Sequence, residues 1–193
     1  MPKKNKIDIA TDLWKENNCE DALKLLRQCE EEQKNNEEDL AEVYMYEAWV
    51  LKDMERFEEA KDYFDKALTL STDSFVTADS LNGKGMCLSE EKRYGEAIDS
   101  FKRAVEIFET IKKYHKDGFW ACASTLIHTM LLAGKLNEAI EVKEKMAKNK
   151  PPKWVMASVL EDFGHYFYRK ELYDKSIPYY EQGLKFVGSI KKR

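Results

Sequence analysis

Histidine, carboxylate, cysteine and indole side chains are the groups in this sequence that could do chemistry, so their spacing comes first. His128 and His165 stand at equivalent places in two neighbouring helical segments, and Glu161 lies one helical turn before His165. Two imidazoles and a carboxylate can hold a metal ion or relay a proton. Lone histidines on helices more often pack or face water, and we expect no metal here. Cys19, Cys29, Cys87 and Cys122 show no C-x-x-C spacing and fall within apolar helical patterns, as small buried residues in a reducing compartment do. No G-x-S-x-G, H-E-x-x-H or phosphate-cradling glycine loop occurs. We read the chain as having no enzymatic activity and no cofactor.

The side chains that remain are suited to holding a partner. Met45, Tyr46 and Trp49, with Asp79, Asn82 and Met86, then Ser124, His128, Glu161, Asp162 and His165, recur at helical spacing and would share one lining. Carboxylates in that lining, including Asp8, Glu42, Asp53 and Glu90, outnumber Lys4, Lys15, Lys52 and Arg169. A partner segment with basic and apolar side chains is therefore expected, with the aromatics as anchors. The other reading makes Tyr46 and Trp49 packing residues and the carboxylates a solvated surface.

The elements that position these groups are helices. The 193 residues are 43% hydrophobic and 35% charged, with only 8 glycines and 4 prolines, too little turn chemistry for many short strands. Net charge is −4, which disfavours a nucleic-acid binder held by phosphate neutralisation. The start, Met1 to Lys6, carries charge with no apolar run behind it, so a secretory signal is not expected. The longest uncharged stretch, Gly118 to Gly134, is short and polar for a bilayer span of roughly 20 residues. No membrane span is expected, and a cytoplasmic protein is.

The organisation is a repeat. An aromatic, Ala three residues on, an aromatic four beyond and Ala three further occur at Phe57, Ala60, Phe64 and Ala67 and again at Tyr94, Ala97, Phe101 and Ala104. Weaker copies place anchors at Ala22, Ala139 and Ser176, so successive anchors lie 37 to 42 residues apart. Upstream of each, a small residue precedes an apolar one by three: Ala10 and Leu13, Ala48 and Leu51, Gly85 and Leu88, Gly164 and Phe167. Small residues let two helix axes approach, and the short breaks between the paired helices force antiparallel hairpins.

The series Gly85, Leu88, Tyr94, Ala97, Phe101, Ala104 resembles the tetratricopeptide repeat, and the resemblance covers essentially the whole chain. It implies an all-α, right-handed α-solenoid of about five antiparallel helix pairs, a single domain over residues 1–193. The expected units are 3–40, 41–77, 78–119, 120–156 and 157–193. The resemblance also implies that the first helix of each pair lines a concave groove that takes a peptide or helix, as in an adaptor or scaffold. The family's carboxylate clamp for chaperone tails is not matched: Ile7, Thr11, Tyr46, Asp79 and Gly83 stand at its places. The spacings exceed the usual 34 residues, and Val105, Phe108, Ile111, Lys112 and Tyr114 suggest extra helical turns before Asp117 and Gly118.

Two further expectations concern single groups. Glu47 and Lys84 occupy equivalent places in the second and third units and are expected to approach each other or to reach solvent separately. On the last helix, Tyr173, Ile177, Tyr180, Leu184 and Val187 would pack inward. Tyr179, Phe186 and Ile190 would form an uncovered stripe, the terminal interface of an alternative function as an obligate subunit or homo-oligomer.

Overall fold

The computed structural model describes residues 5–33 and 35–188. They form ten helices and no strand. Two compact units result, Met1–His115 and Lys116–Arg193. The first holds α1 (Lys6–Lys15), α2 (Cys19–Gln33), α3 (Glu37–Asp53), α4 (Phe57–Leu70), α5 (Ser74–Glu90) and α6 (Tyr94–Ile111). The second holds α7 (Lys116–Leu132), α8 (Leu136–Lys148), α9 (Lys153–Arg169) and α10 (Tyr173–Gly188). Within each unit, successive pairs make the expected helical hairpins. No helix is long and apolar enough to cross a membrane among the described residues.

Local chemistry starts these helices in two ways. The first helices of the first unit, α1, α3 and α5, have side-chain caps: Asn5 accepts from the Asp8 N–H at 2.7 Å while Asp8 accepts from the Asn5 N–H at 3.3 Å, Asn36 accepts from the Asp39 N–H, and Asp73 accepts from Phe75 and Val76. These side chains satisfy backbone donors that the first turn leaves open. The second helices α4, α6 and α8 follow Arg56, Arg93 and Lys135, which make no such cap but pair with Glu59, Glu96 and Glu138 three residues on.

Each hairpin turns on one residue in the left-handed region: Asn17, Glu55, Lys92, Gly134 and Glu171, with φ between 60° and 76°. The next N–H reaches back across the turn, as Arg56 to the Leu51 carbonyl and Arg93 to Leu88, the closure that ends a helix on a left-handed residue. Only Gly134 has the residue type that adopts this conformation without strain. Replacing Lys92 with glycine should therefore raise stability by about 1 kcal/mol, the usual cost of a left-handed side-chain residue, read as a higher urea midpoint. An unchanged midpoint would mean the turn is unstrained.

Packing follows the small-residue anchors. Ala22, Ala60, Ala97 and Ala139 are fully buried and Ser176 nearly so. At the α7–α8 hairpin, Ile127 and Met146 are buried, and the Lys143 ammonium lies 5.1 Å from the Phe163 ring and 5.6 Å from that of Tyr179. Two expectations need correction. Gly118 does not break a helix: α6 ends at Ile111 and Gly118 sits in the first turn of α7. Glu47 and Lys84 do not pair either, because Lys84 bonds Asp65 of α4 at 2.6 Å. Glu47 is fully buried among α2, α3 and α4, where Arg27, Glu30 and Lys66 act on its charge.

Candidate functional site

In the first unit the lining comes from α1, α3 and α5, whose side chains meet directly. The Trp14 and Trp49 rings stack with centroids 6.4 Å apart, and each indole N–H donates to a carboxylate: Trp14 to Asp53 Oδ2 at 2.8 Å and Trp49 to Asp79 Oδ2 at 2.7 Å. Trp49 also meets the buried Phe64 edge-on at 5.6 Å and carries the Lys52 ammonium 5.2 Å above its ring. It is thus as much a structural wedge as a contact surface. Tyr46 is half-buried beside it, Met86 is half-buried, and Asn82 is buried with its Oδ1 lacking a donor. Met45 corrects the expectation: it is 1% exposed, in a small cluster with Ala41, Ala67 and Val76. It follows the odd-numbered buried positions of α3 and cannot touch a partner.

Carboxylates outnumber cations on this face, where Lys52 pairs with Asp53 at 2.7 Å. Burial pushes the Asp79 carboxyl up to about 6, against the Trp49 hydrogen bond that favours its charge. Burial and the charges of Asp39, Asp73 and Asp8 hold Glu42 above the usual carboxylate range. The Tyr46 phenol is raised by burial and then by the charges of Glu42, Asp79 and Asp8, which stand on three different helices. Trp14 was missed from sequence because Leu13 beside it fitted the repeat and drew the assignment. Cys29, Cys87 and Cys122 are buried, Cys19 is half-buried, and burial lifts the Cys87 thiol to about 11, away from reactivity.

The second unit carries the other residues. His128 and His165 are exposed, Asp162 and Ser124 half-buried and Glu161 exposed. The His128 Nδ1 lies 2.8 Å from Asp162 Oδ1, so its carboxylate neighbour is Asp162. His128, Asp162 and His165 line a cavity of about 270 Å³ with Tyr166, Arg169 and Lys170, whereas Glu161 lines a different one, of about 240 Å³, with Tyr180 and Leu184. No three His, Cys, Asp or Glu side chains are placed to hold a metal ion among the described residues.

On α10 the expected faces are exchanged. Tyr179 stacks on Phe163 and Phe167 at 5.2 and 5.5 Å, and Phe186 is half-buried, while Tyr173, Ile177, Leu184 and Val187 are the exposed apolar side chains. The small residues decide the rotation. Ser176 donates to the Gly164 carbonyl at 2.9 Å and Gly183 lies against Ala157 and Leu160, so Tyr179 and Tyr180 straddle the contact line. Ile190 lies outside the described residues.

Helical hairpins closed on left-handed turns, with first helices sharing an acidic and aromatic face in the first unit, define an α-helical repeat fold. Residues 39–110 match the tetratricopeptide repeat family, and the described helices have the fold of tetratricopeptide-repeat structures. Three solved structures share it. MamA is 18% identical, with 96% of this chain and 98% of that one covered and a TM-score of 0.72. Nearly identical TPR-like repeats from Podosopora anserina are 14% identical, covering 97% and 96%, with a TM-score of 0.77. YrrB, described as a TPR protein with an unusual peptide-binding site, is 22% identical, covering 94% and 84%, with a TM-score of 0.66. No curated protein sequence shows significant similarity to the chain.

Proposed function

We propose that the chain is a protein-interaction module, an adaptor or scaffold of the cytoplasm, in which the α1, α3 and α5 face of the first unit holds a partner segment bearing basic and apolar side chains. The observation that carries this reading is the face on which the Trp49 indole donates to Asp79 Oδ2 at 2.7 Å and stacks on Trp14, with Tyr46 half-buried and acted on by the charges of Glu42, Asp79 and Asp8. Glu42 and Asp79, half-withdrawn from water, gain more from an arriving cation than exposed carboxylates such as Asp8 do. The peptide-binding site described for YrrB supports a peptide as the occupant. The four cysteines, joined by no disulfide, support a reducing compartment. Selection of a displayed random-peptide library on the full chain tests the reading. Enriched sequences should combine Arg or Lys with apolar residues, and Tyr46→Ala should weaken their binding by about tenfold or more. Trp49 is a poor choice for this test because its loss would also unseat Phe64. Acidic or random enrichment, or indifference to Tyr46→Ala, would reject it.

A second reading, assembly through α10, is favoured by the exposed Tyr173, Ile177 and Leu184. Light scattering on wild type and on Ile177→Asp/Leu184→Asp separates the two: a monomer in both cases leaves the recruiting module alone.

A further inference from the structure

The cavity at the C-terminal ends of α7 and α9, in the second unit, holds more positive charge than the fold uses. Two helix faces supply its walls. His128, Leu131 and Leu132 follow one another at i, i+3 and i+4 on α7, and Asp162, His165, Tyr166 and Arg169 continue the same spacing along α9. The His128 Nδ1 lies 2.8 Å from Asp162 Oδ1, which ties the two helices together, and these side chains with Lys170 line one space of about 270 Å³. Asp162 is the one carboxylate of that lining among the described residues, and its side chain is 17% exposed and turned onto His128. Arg169 and Lys170 pair with no carboxylate among the described residues. The Lys170 ammonium lies 5.2 Å from the Tyr166 ring centroid, a contact that leaves its charge whole. Leu131, 6% exposed, gives the cavity an apolar part. Basic residues in a last turn also favour the helix dipole, but that role needs neither a cavity nor a second helix.

We propose that this cavity takes a phosphate monoester carried on a side chain of a partner segment, held by Arg169, Lys170 and His165, with the carbon arm of that side chain against Leu131 and Leu132. Charge selects the ligand. A phosphorylated serine or threonine brings a charge of about −1.5 to −2, which two cations balance, whereas a carboxylate brings one and leaves a cation unanswered. Arg169 offers a planar fork that matches phosphate oxygens, Lys170 a mobile point charge and His165 a ring N–H. Size selects the source. A space of about 270 Å³ falls below the roughly 300–1,000 Å³ that whole small ligands occupy, so it suits the head of one side chain and not a free phosphorylated metabolite. The site lies wholly in the second unit and does not rest on the first-unit face, so either can fail alone.

The test uses the full chain, whose 3 histidines give separate imidazole Cε1–H resonances in NMR, assigned with His128→Gln and His165→Gln. Titration with N-acetyl-phosphothreonine methylamide, at constant pH and ionic strength, should shift His128 and His165 saturably and leave His115, in the first unit, unmoved. The threonine counterpart should give no saturable shift. The aspartate counterpart should bind about tenfold more weakly, the difference one charge-assisted hydrogen bond supplies, and inorganic phosphate, which lacks the carbon arm, should also bind more weakly. Arg169 and Lys170 are exposed, so Arg169→Gln and Lys170→Gln leave the fold intact, and each should weaken the phosphothreonine response about tenfold. Lys135→Gln, which removes a nearby cation paired with Glu138, should leave it unchanged. No saturable shift, equal binding of the threonine or aspartate counterpart, or indifference to both the Arg169 and Lys170 variants overturns the site. An equal loss in Lys135→Gln overturns it too, by showing attraction to the basic surface at large. Inorganic phosphate binding as tightly as the phosphothreonine probe overturns the side-chain source and makes the free anion the occupant.

Discussion

Gly83→Ala should destabilise the first unit by roughly 3 kcal/mol, at the upper end of what one inserted methyl costs in a packed core, although alanine is the better helix former. A Cβ at position 83 would lie 2.1 Å from the Phe64 ring tip and under 3 Å from its two neighbouring ring carbons. Phe64 is fully buried, with Trp49 against its side, so the ring has no rotamer to retreat into and α5 must move away from α4. Gly85, two residues on, meets Phe101 of α6 on the opposite side at 2.8 Å. Helix α5 is therefore pinched from both faces, and a shift away from α4 drives Gly85 into Phe101. In thermal unfolding the midpoint should fall by about 10 °C, given roughly 2–4 °C per kcal/mol for a chain of this size. Gly83→Ala/Phe64→Leu should recover part of the loss, a coupling that two independent defects would not show. Gly95 is the control: nothing lies within 4 Å of its added Cβ, and Gly95→Ala should be neutral or slightly stabilising. Equal midpoints for the Gly83 and Gly95 variants would show that the close approach carries no energetic weight.

The same glycines show what could be read from the chain. Gly85 and Gly164 were legible because each repeats a small residue at the closest crossing within a hairpin, and each does face an aromatic of its partner helix, Phe101 and Tyr180. Gly83 was not, because its partner Phe64 belongs to the preceding hairpin, and spacing within one unit carries no record of contact between units. The α10 reversal has the same origin. Two apolar stripes on one helix have equal hydrophobic weight, and only the Gly164 carbonyl, which Ser176 finds across the hairpin, chooses between them. Helix pairs and their anchors were visible because local periodicity dictates them. In the lining, Tyr46, Asp79 and Asn82 follow from helical spacing, while the withdrawal of Met45 into the core and the indole bonds of Trp14 and Trp49 depend on neighbouring helices.

The stability of the chain should fall, not rise, as pH increases from 5 to 8, and Glu47 is the reason. Its carboxyl is 0% exposed and neither oxygen has a hydrogen-bond partner. Burial, assisted by the charge of Glu30 and opposed by Arg27 and Lys66, pushes it up to about 8 from 4.5. Tyr63 of α4 and Tyr44 of α3 share the site, with the Tyr44 hydroxyl donating to Glu30 at 3.2 Å. Between those two values the folded chain keeps a proton that the unfolded chain has released. Folding then takes up a proton, and each pH unit costs about 1.4 kcal/mol until the folded group also ionises. From pH 5 to 8 the loss is roughly 3 kcal/mol on this basis, with Asp79, also raised, adding its share only toward the lower end of the window. Glu47→Gln keeps the size and the orphaned polar atoms of the protonated acid but cannot ionise. It should match wild type near pH 5, exceed it by roughly 3 kcal/mol at pH 8 and show a flattened profile between. Glu47→Met, which also removes the buried polar atoms, should exceed wild type across the whole range. Urea midpoints at pH 5, 6, 7 and 8 measure all three. A wild type whose stability is level or rising over that interval, with Glu47→Gln running parallel to it, would show that Glu47 is ionised in the fold and that Arg27 and Lys66 outweigh its burial.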